Sequence, residues 1–247
     1  MNIGIQLYSV REEIKQEGLE TVLSKIAKAG YDSIEFAGFY GLAPAQIKAL
    51  LAKYNLKPLS AHINVDNIEQ SLRYIDELGI KLVFIPWKDY DGLSGQNYVD
   101  FCNAVYRAKK LLDERGVAFG YHNHAQEYKN GEDKVYDLIT DIDGFMVELD
   151  IYWAVAGGHD PTELMGKYKD ALVAVHIKDM DNRANPNNPR EYPNAIVGEG
   201  QCGAKKAMEF ALNQGVENFI LEVEGYPCDY EEYLIRSYKN IKAFANK

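Results

Sequence analysis

Residues 145–150 read Phe-Met-Val-Glu-Leu-Asp, a short apolar run closed by a carboxylate. Such a run is the mark of a strand buried on both faces, as in a parallel sheet. Three more runs share the pattern: Val117–His122, Ala171–His176 and Phe219–Glu222. Each ends in a residue able to bind a metal, so His122, Asp150, His176 and Glu222 fall at the same end of four strands. Two imidazoles and two carboxylates converging on one mouth predict a divalent-metal site and metal-assisted chemistry.

Working outward, strand and helix alternate along the whole chain. The predicted strands are Ile3–Ser9, Tyr31–Ala37, Lys57–Ile63, Lys81–Trp87, Val117–His124, Phe145–Trp153, Ala171–Lys178 and Phe219–Glu224. Helices are expected over 18–29, 44–54, 66–78, 96–115, 133–142, 161–168, 204–214 and 229–245. Pro44 suits a first helical turn, and Gly30, Gly79 and Gly116 suit helix ends. Eight such repeats predict an α/β fold, a single (β/α)8 TIM barrel covering residues 1–247. An open doubly wound sheet would want a Gly-rich loop after strand one, where Ser9-Val10-Arg11-Glu12 stands instead.

The chain has 247 residues, 47% of them hydrophobic and 26% charged, with a net charge of −10. The acidity disfavours nucleic acid and anionic membranes as partners. Three scattered cysteines argue against a disulfide framework. Met1–Tyr8 enters a strand directly, and no apolar run is long enough to span a membrane. A cytoplasmic enzyme is the expectation. Homo-oligomerisation is left open.

In such a barrel the strand C-termini carry the chemistry. Four of the five histidines fall there. Burying so many ionisable groups is costly unless they are paired or bound to a cation. The mixed nitrogen and oxygen set suits one divalent ion, Mn, Fe, Co, Ni or Zn, with Mg also admitted. His124 faces the same way as His122 and competes with it as the strand-five ligand. Glu148 lies on the face of Asp150, one layer deeper, either as a base or as support for the ligands. Trp87 and Trp153 are candidate walls against a sugar ring, and Glu35 and His62 candidate hydroxyl binders. Lys178 could neutralise an oxyanion or pair with Asp179 or Glu148. The loop Asp179–Gln201 could close the site, with Gly198-Glu199-Gly200 as its hinge. Arg183 and Arg190 in that loop could meet an anionic substrate.

Ile34-Glu35-Phe36, Tyr121-His122-Asn123-His124 with Glu127, Glu148-Leu149-Asp150 with Tyr152-Trp153, His176-Ile177-Lys178-Asp179, Gly198-Glu199-Gly200 and Leu221-Glu222 together resemble the xylose isomerase-like TIM barrel superfamily. The sugar phosphate isomerase/epimerase branch is the most similar, and the superfamily also holds AP endonucleases of family 2. The resemblance covers essentially the whole chain. It implies one divalent metal held by His122, Asp150, His176 and Glu222. It also implies proton abstraction beside a carbonyl, with Glu222 or Glu148 as base and His124 or Lys178 returning the proton. One position departs from the pattern. Sugar epimerases of this superfamily usually carry Glu where His122 stands, and use it with the strand-eight Glu as opposed bases. The expected function is a metal-dependent sugar or keto-sugar isomerase/epimerase. The alternative is a lyase or dehydratase on a 3-keto-sugar, inosose or related polyol. A non-catalytic sugar binder and an endonuclease IV-like repair enzyme are further alternatives. The second suffers from Trp153 where the nuclease pattern needs His.

Overall fold

Closure of a parallel sheet removes every exposed strand edge, and this chain achieves it with eight strands. The computed structural model describes residues 1–90, 92–182 and 193–245. Strands β1 (Asn2–Gln6), β2 (Ser33–Ala37), β3 (Lys57–His62), β4 (Leu82–Ile85), β5 (Ala118–His122), β6 (Phe145–Asp150) and β7 (Leu172–Ile177) follow one another around the barrel. A two-stranded antiparallel ribbon, β8 (Asp179–Met180) with β9 (Asn194–Ala195), comes next in the chain. Strand β10 (Asn218–Leu221) then closes the barrel between β7 and β1, with Ile220 opposite His176 and Gly4 opposite Ile220. This is a (β/α)8 TIM barrel, as the alternation predicts.

The helices are α1 (Arg11–Glu17), α2 (Leu19–Ala29), α3 (Pro44–Tyr54), α4 (Ile68–Leu78), α5 (Gly95–Asp113), α6 (Lys134–Asp141), α7 (Ile151–Ala156), α8 (Pro161–Lys167), α9 (Ala204–Asn213) and α10 (Tyr230–Ala245). Their apolar faces pack on the outward strand residues; in α4 these are Ile68, Ile75 and Leu78. Inside the barrel, Phe84, Ala174 and Ile220 form a small separate apolar cluster. Alternation carries Ala174 to His176 and Ile220 to Glu222 on the same face. The cluster is therefore the floor on which the polar strand ends stand.

Several strands stop short of the expected end: the first at Gln6 instead of Ser9, where a 3-10 turn over Leu7–Val10 takes over, and the fourth at Ile85 instead of Trp87. The sixth strand stops at Asp150 instead of running to Trp153, because Asp150 Oδ1 accepts the Trp153 backbone N–H at 2.9 Å and starts α7. A carboxylate in that capping position satisfies an orphan donor of the helix and ends the strand. The fifth strand stops at His122, two residues before His124. The eighth barrel strand stops at Leu221, so Glu222 stands just beyond it. Helices α1 and α7 are additions to the expected set.

Asp179 fastens the far end of the long loop. Its carboxylate accepts backbone N–H groups of Met180, Gly198, Gly200 and Cys202 at 2.9–3.1 Å. A Cβ on Gly200 would collide with the Met180 carbonyl and the Asp179 carboxylate. Gly198-Glu199-Gly200, expected as a hinge, is thus a clamped turn whose glycine permits close approach. Arg183 and Arg190 lie outside the described residues.

Candidate metal centre

The mouth of the barrel holds two tiers of ionisable groups. In the upper tier, one ligand atom each from His122, Asp150, His176 and Glu222 lies within 4.8 Å of the other three, and all four residues are buried. His176 Nδ1 stands 3.4 Å from Glu222 Oε2 and 4.0 Å from Asp150 Oδ2, and His122 Nε2 stands 3.9 Å from Glu222 Oε2. In the lower tier, Glu148 Oε2 lies 2.6 Å from His62 Nε2, 3.1 Å from His176 Nε2 and 3.3 Å from His122 Nδ1. Glu35 Oε2 lies 2.7 Å from His176 Nε2, and Glu35 also accepts from Gln6 Nε2 and Ser60 Oγ, each at 2.7 Å.

Each of the two imidazoles therefore turns one nitrogen up and the other down onto a carboxylate. A carboxylate behind a histidine fixes its tautomer and ring plane and leaves the opposite nitrogen free for a metal. Asp150 Oδ2, Glu222 Oε2 and His176 Nδ1 are buried and have no hydrogen-bond partner among the described residues. Three orphaned polar atoms, two of them carboxylate oxygens, are costly unless a cation relieves them. The donor set and these orphaned atoms fit a divalent ion in the upper tier. His62, His122, Glu148 and His176 make a second four-residue group of the same tightness. There His62 Nε2 and His176 Nε2 already have carboxylate partners in Glu148 and Glu35, while His122 Nδ1 and Glu148 Oε1 have no hydrogen bond among the described residues; the upper tier brings two carboxylates to the ion and the lower tier one.

Burial shapes the charges. It pushes Asp150 up to about 7 despite the opposing pull of Lys178. It pushes His122 down to about 4, helped by His176. Burial would also raise Glu148 and Glu222, but His176 with His62 for the first, and His176 with Lys178 for the second, hold both well below the usual carboxylate range. Burial opposes the charge on Lys178, yet Glu224 and Glu222 keep it raised.

The sequence candidates separate by position. His62, Trp87, His122, His124 and Glu222 line a cavity of about 470 Å³ at the barrel mouth. Trp87 is exposed there. His124 sits above His122 and packs at a tilt of 39° against Trp153, their ring centroids 5.0 Å apart, and belongs to neither four-residue group. Glu35 and Glu148 are fully enclosed and do not appear in the cavity wall. Trp153, on α7, packs beneath Lys178 Nζ at 4.8 Å instead of lining the cavity.

Lys178 does not pair with Asp179 or Glu148. It is fully buried, pairs with Glu224, and lies 3.8 Å from Glu222. Alternation explains this, since Lys178 and Glu224 each continue the inward face of their strand by one more step beyond His176 and Glu222. Glu224, to which the sequence pattern attaches no role, lines the cavity together with Tyr8. Asn123 also escapes the sequence pattern: its side chain accepts from Asp150 N at 2.8 Å and donates to Asp150 O at 3.3 Å, bracing that strand end.

Comparison with known proteins agrees with this architecture. The model of the xylose isomerase-like TIM barrel family matches residues 23–244. An inosose dehydratase of Geobacillus kaustophilus is 25% identical over 190 residues, covering 65% of this chain and 62% of its own length. An inosose dehydratase of Bacillus cereus is 20% identical over 263 residues, covering 90% of this chain and 88% of its own length. A crystal structure of a sugar phosphate isomerase/epimerase from Parabacteroides distasonis superposes with a TM-score of 0.78 at 23% identity, covering 99% of this chain and 96% of that one.

Proposed function

This chain belongs to the xylose isomerase-like TIM barrel family, and on that premise we propose that it is a divalent-metal-dependent lyase that dehydrates a keto-sugar or inosose-type polyol. The observation that carries the reading is the asymmetry of the mouth. His122 and His124 hold the strand-five places in the cavity wall, where a two-base epimerase needs a carboxylate, and the other carboxylate in that wall besides Glu222, Glu224, is paired with Lys178. The dehydratase names of both relatives favour elimination over the isomerisation expected first.

His122, Asp150, His176 and Glu222 would hold the metal. Bound there, it would supply Lewis acidity to a substrate carbonyl. Glu222, held ionised by His176 and Lys178, takes the proton beside that carbonyl. The electrons of the broken C–H bond form the C=C bond, and the hydroxyl on the next carbon leaves. The proton taken by Glu222 passes to this hydroxyl, which leaves as water; His124, kept neutral because burial holds it well below the usual imidazole range, lines the cavity beside it. Lys178 stays cationic against Glu224 and neutralises charge developing on the substrate oxygen. Glu148 and Glu35 orient His122 and His176 from below, and Trp87 walls the substrate ring.

The test is an assay of a keto-polyol panel before and after chelation, with Glu222→Gln alongside. Turnover should vanish without metal and return when Mn, Co or Zn is added. Glu222→Gln should lose about 10²–10⁴-fold in rate. Unchanged turnover after metal removal overturns the proposal. Full retention of sugar affinity with no turnover in any form identifies a sugar binder instead.

A further inference from the structure

A second chamber opens beside the substrate cavity. It has a volume of about 580 Å³, against about 470 Å³ for the cavity itself, and the two share Pro86 and Trp87 as a common wall. Both volumes fall in the range of small-molecule sites, about 300–1,000 Å³. Trp87 is 52% exposed. An indole left this open between two chambers offers an apolar face to each.

The other walls are polar in a particular way. Asp66, Asn97 and Asp100 line the chamber with Phe101. Asp66 and Asn97 are exposed. Asp100 Oδ1 accepts from Gln96 Nε2 at 2.8 Å. Carboxylate and amide groups beside the open indole face of Trp87 suit a ring with hydroxyls on its edge and C–H bonds on its face. The carboxylates are not among the groups close enough to share an ion. The cation of Lys88, also in the wall, lies 4.7 Å over the Phe101 ring. With Asp89 there too, negative charge dominates and a phosphate would be repelled.

We propose that this chamber is a subsite for a second, uncharged sugar ring, so that the substrate is a glycoside with its reacting ring over Glu222 and the other ring beyond Trp87. The inference rests on the sugar reading of the main cavity and extends it to a two-ring substrate class. Asn97 and Asp100 give the second ring its hydroxyl contacts, and Trp87 packs between the rings.

Calorimetric titration of the metal-loaded protein with methyl glucoside and with a panel of neutral glucose disaccharides (trehalose, maltose, cellobiose) tests this. At least one disaccharide should bind about tenfold more tightly than methyl glucoside, the worth of one or two added hydrogen bonds. The double substitution Asn97→Ala/Asp100→Ala, at exposed positions, should abolish that gain and leave methyl glucoside affinity unchanged. Disaccharides that bind no better than methyl glucoside, or a gain that survives the double substitution, overturn the subsite while the sugar reading stands. Failure of every one- and two-ring sugar to bind overturns the subsite, and failure of the keto-polyol panel to bind as well overturns the sugar reading.

Discussion

Glu148→Gln separates an anchoring carboxylate from a catalytic base. Glu148 is fully enclosed, and its Oε2 meets three imidazole nitrogens, those of His62, His176 and His122, at 2.6, 3.1 and 3.3 Å. Glutamine keeps an oxygen at that point but removes the negative charge, roughly halving hydrogen bonds that were charge-assisted. Its amide nitrogen would take the place of Oε1, a buried atom with no hydrogen-bond partner among the described residues. An unsatisfied buried donor costs about 1–3 kcal/mol, so the denaturation midpoint should fall correspondingly. His122 would lose the carboxylate behind it and His176 would be left with Glu35 alone, and metal affinity should drop about 10- to 100-fold, or about 1.4–2.7 kcal/mol. Titration of the metal-free protein with Mn or Co by calorimetry, with urea unfolding in parallel, reads both quantities. Metal affinity that stays close to the parent's while turnover slows by about a hundredfold or more, the worth of a lost general base, would refute the anchoring argument and make Glu148 the base.

Two further outcomes concern the frame of the site. Gly120→Ala places a Cβ on the Met146 carbonyl, backbone of the strand that presents Asp150; thermal unfolding should show a loss above about 3 kcal/mol, and a loss under about 1 would contradict the packing. Asp160 caps α8 through Thr162 N at 2.7 Å and pairs with Lys206 at 2.8 Å. Lys206 and Thr162 lower its carboxyl from 3.8 to about 2. A depressed carboxylate stabilises the fold above its unfolded value and loses that contribution as pH falls toward about 2. Asp160→Ala should therefore cost about 1 kcal/mol at pH 6 and less at pH 3, by urea unfolding; an equal cost at both would argue against the ionised cap.

Local pattern was enough for the barrel. Alternation of short apolar runs with amphipathic segments is a property of neighbouring residues, and so is the arrival of His122, Asp150, His176 and Glu222 at one end of their strands. The period of two also placed Glu148 beneath Asp150. Boundaries were less legible where a side chain competes with the strand: Asp150 begins a helix by capping Trp153 N, and this carries Trp153 out of the cavity wall.

Only closure of the barrel could decide the partnerships. Glu35 meets His176 across 141 positions of sequence, and His62 meets Glu148 across 86. No local spacing encodes such pairs, because they depend on the register of strands around a closed sheet. Closure likewise gave Lys178 to Glu224 and set which nitrogen of each histidine faces up. It also left Trp87 between two chambers. The residue types able to do chemistry were written along the chain. Their division into an upper tier with orphaned atoms and a lower tier that braces it came from folding, which brings distant carboxylates within hydrogen-bond reach of the same imidazoles.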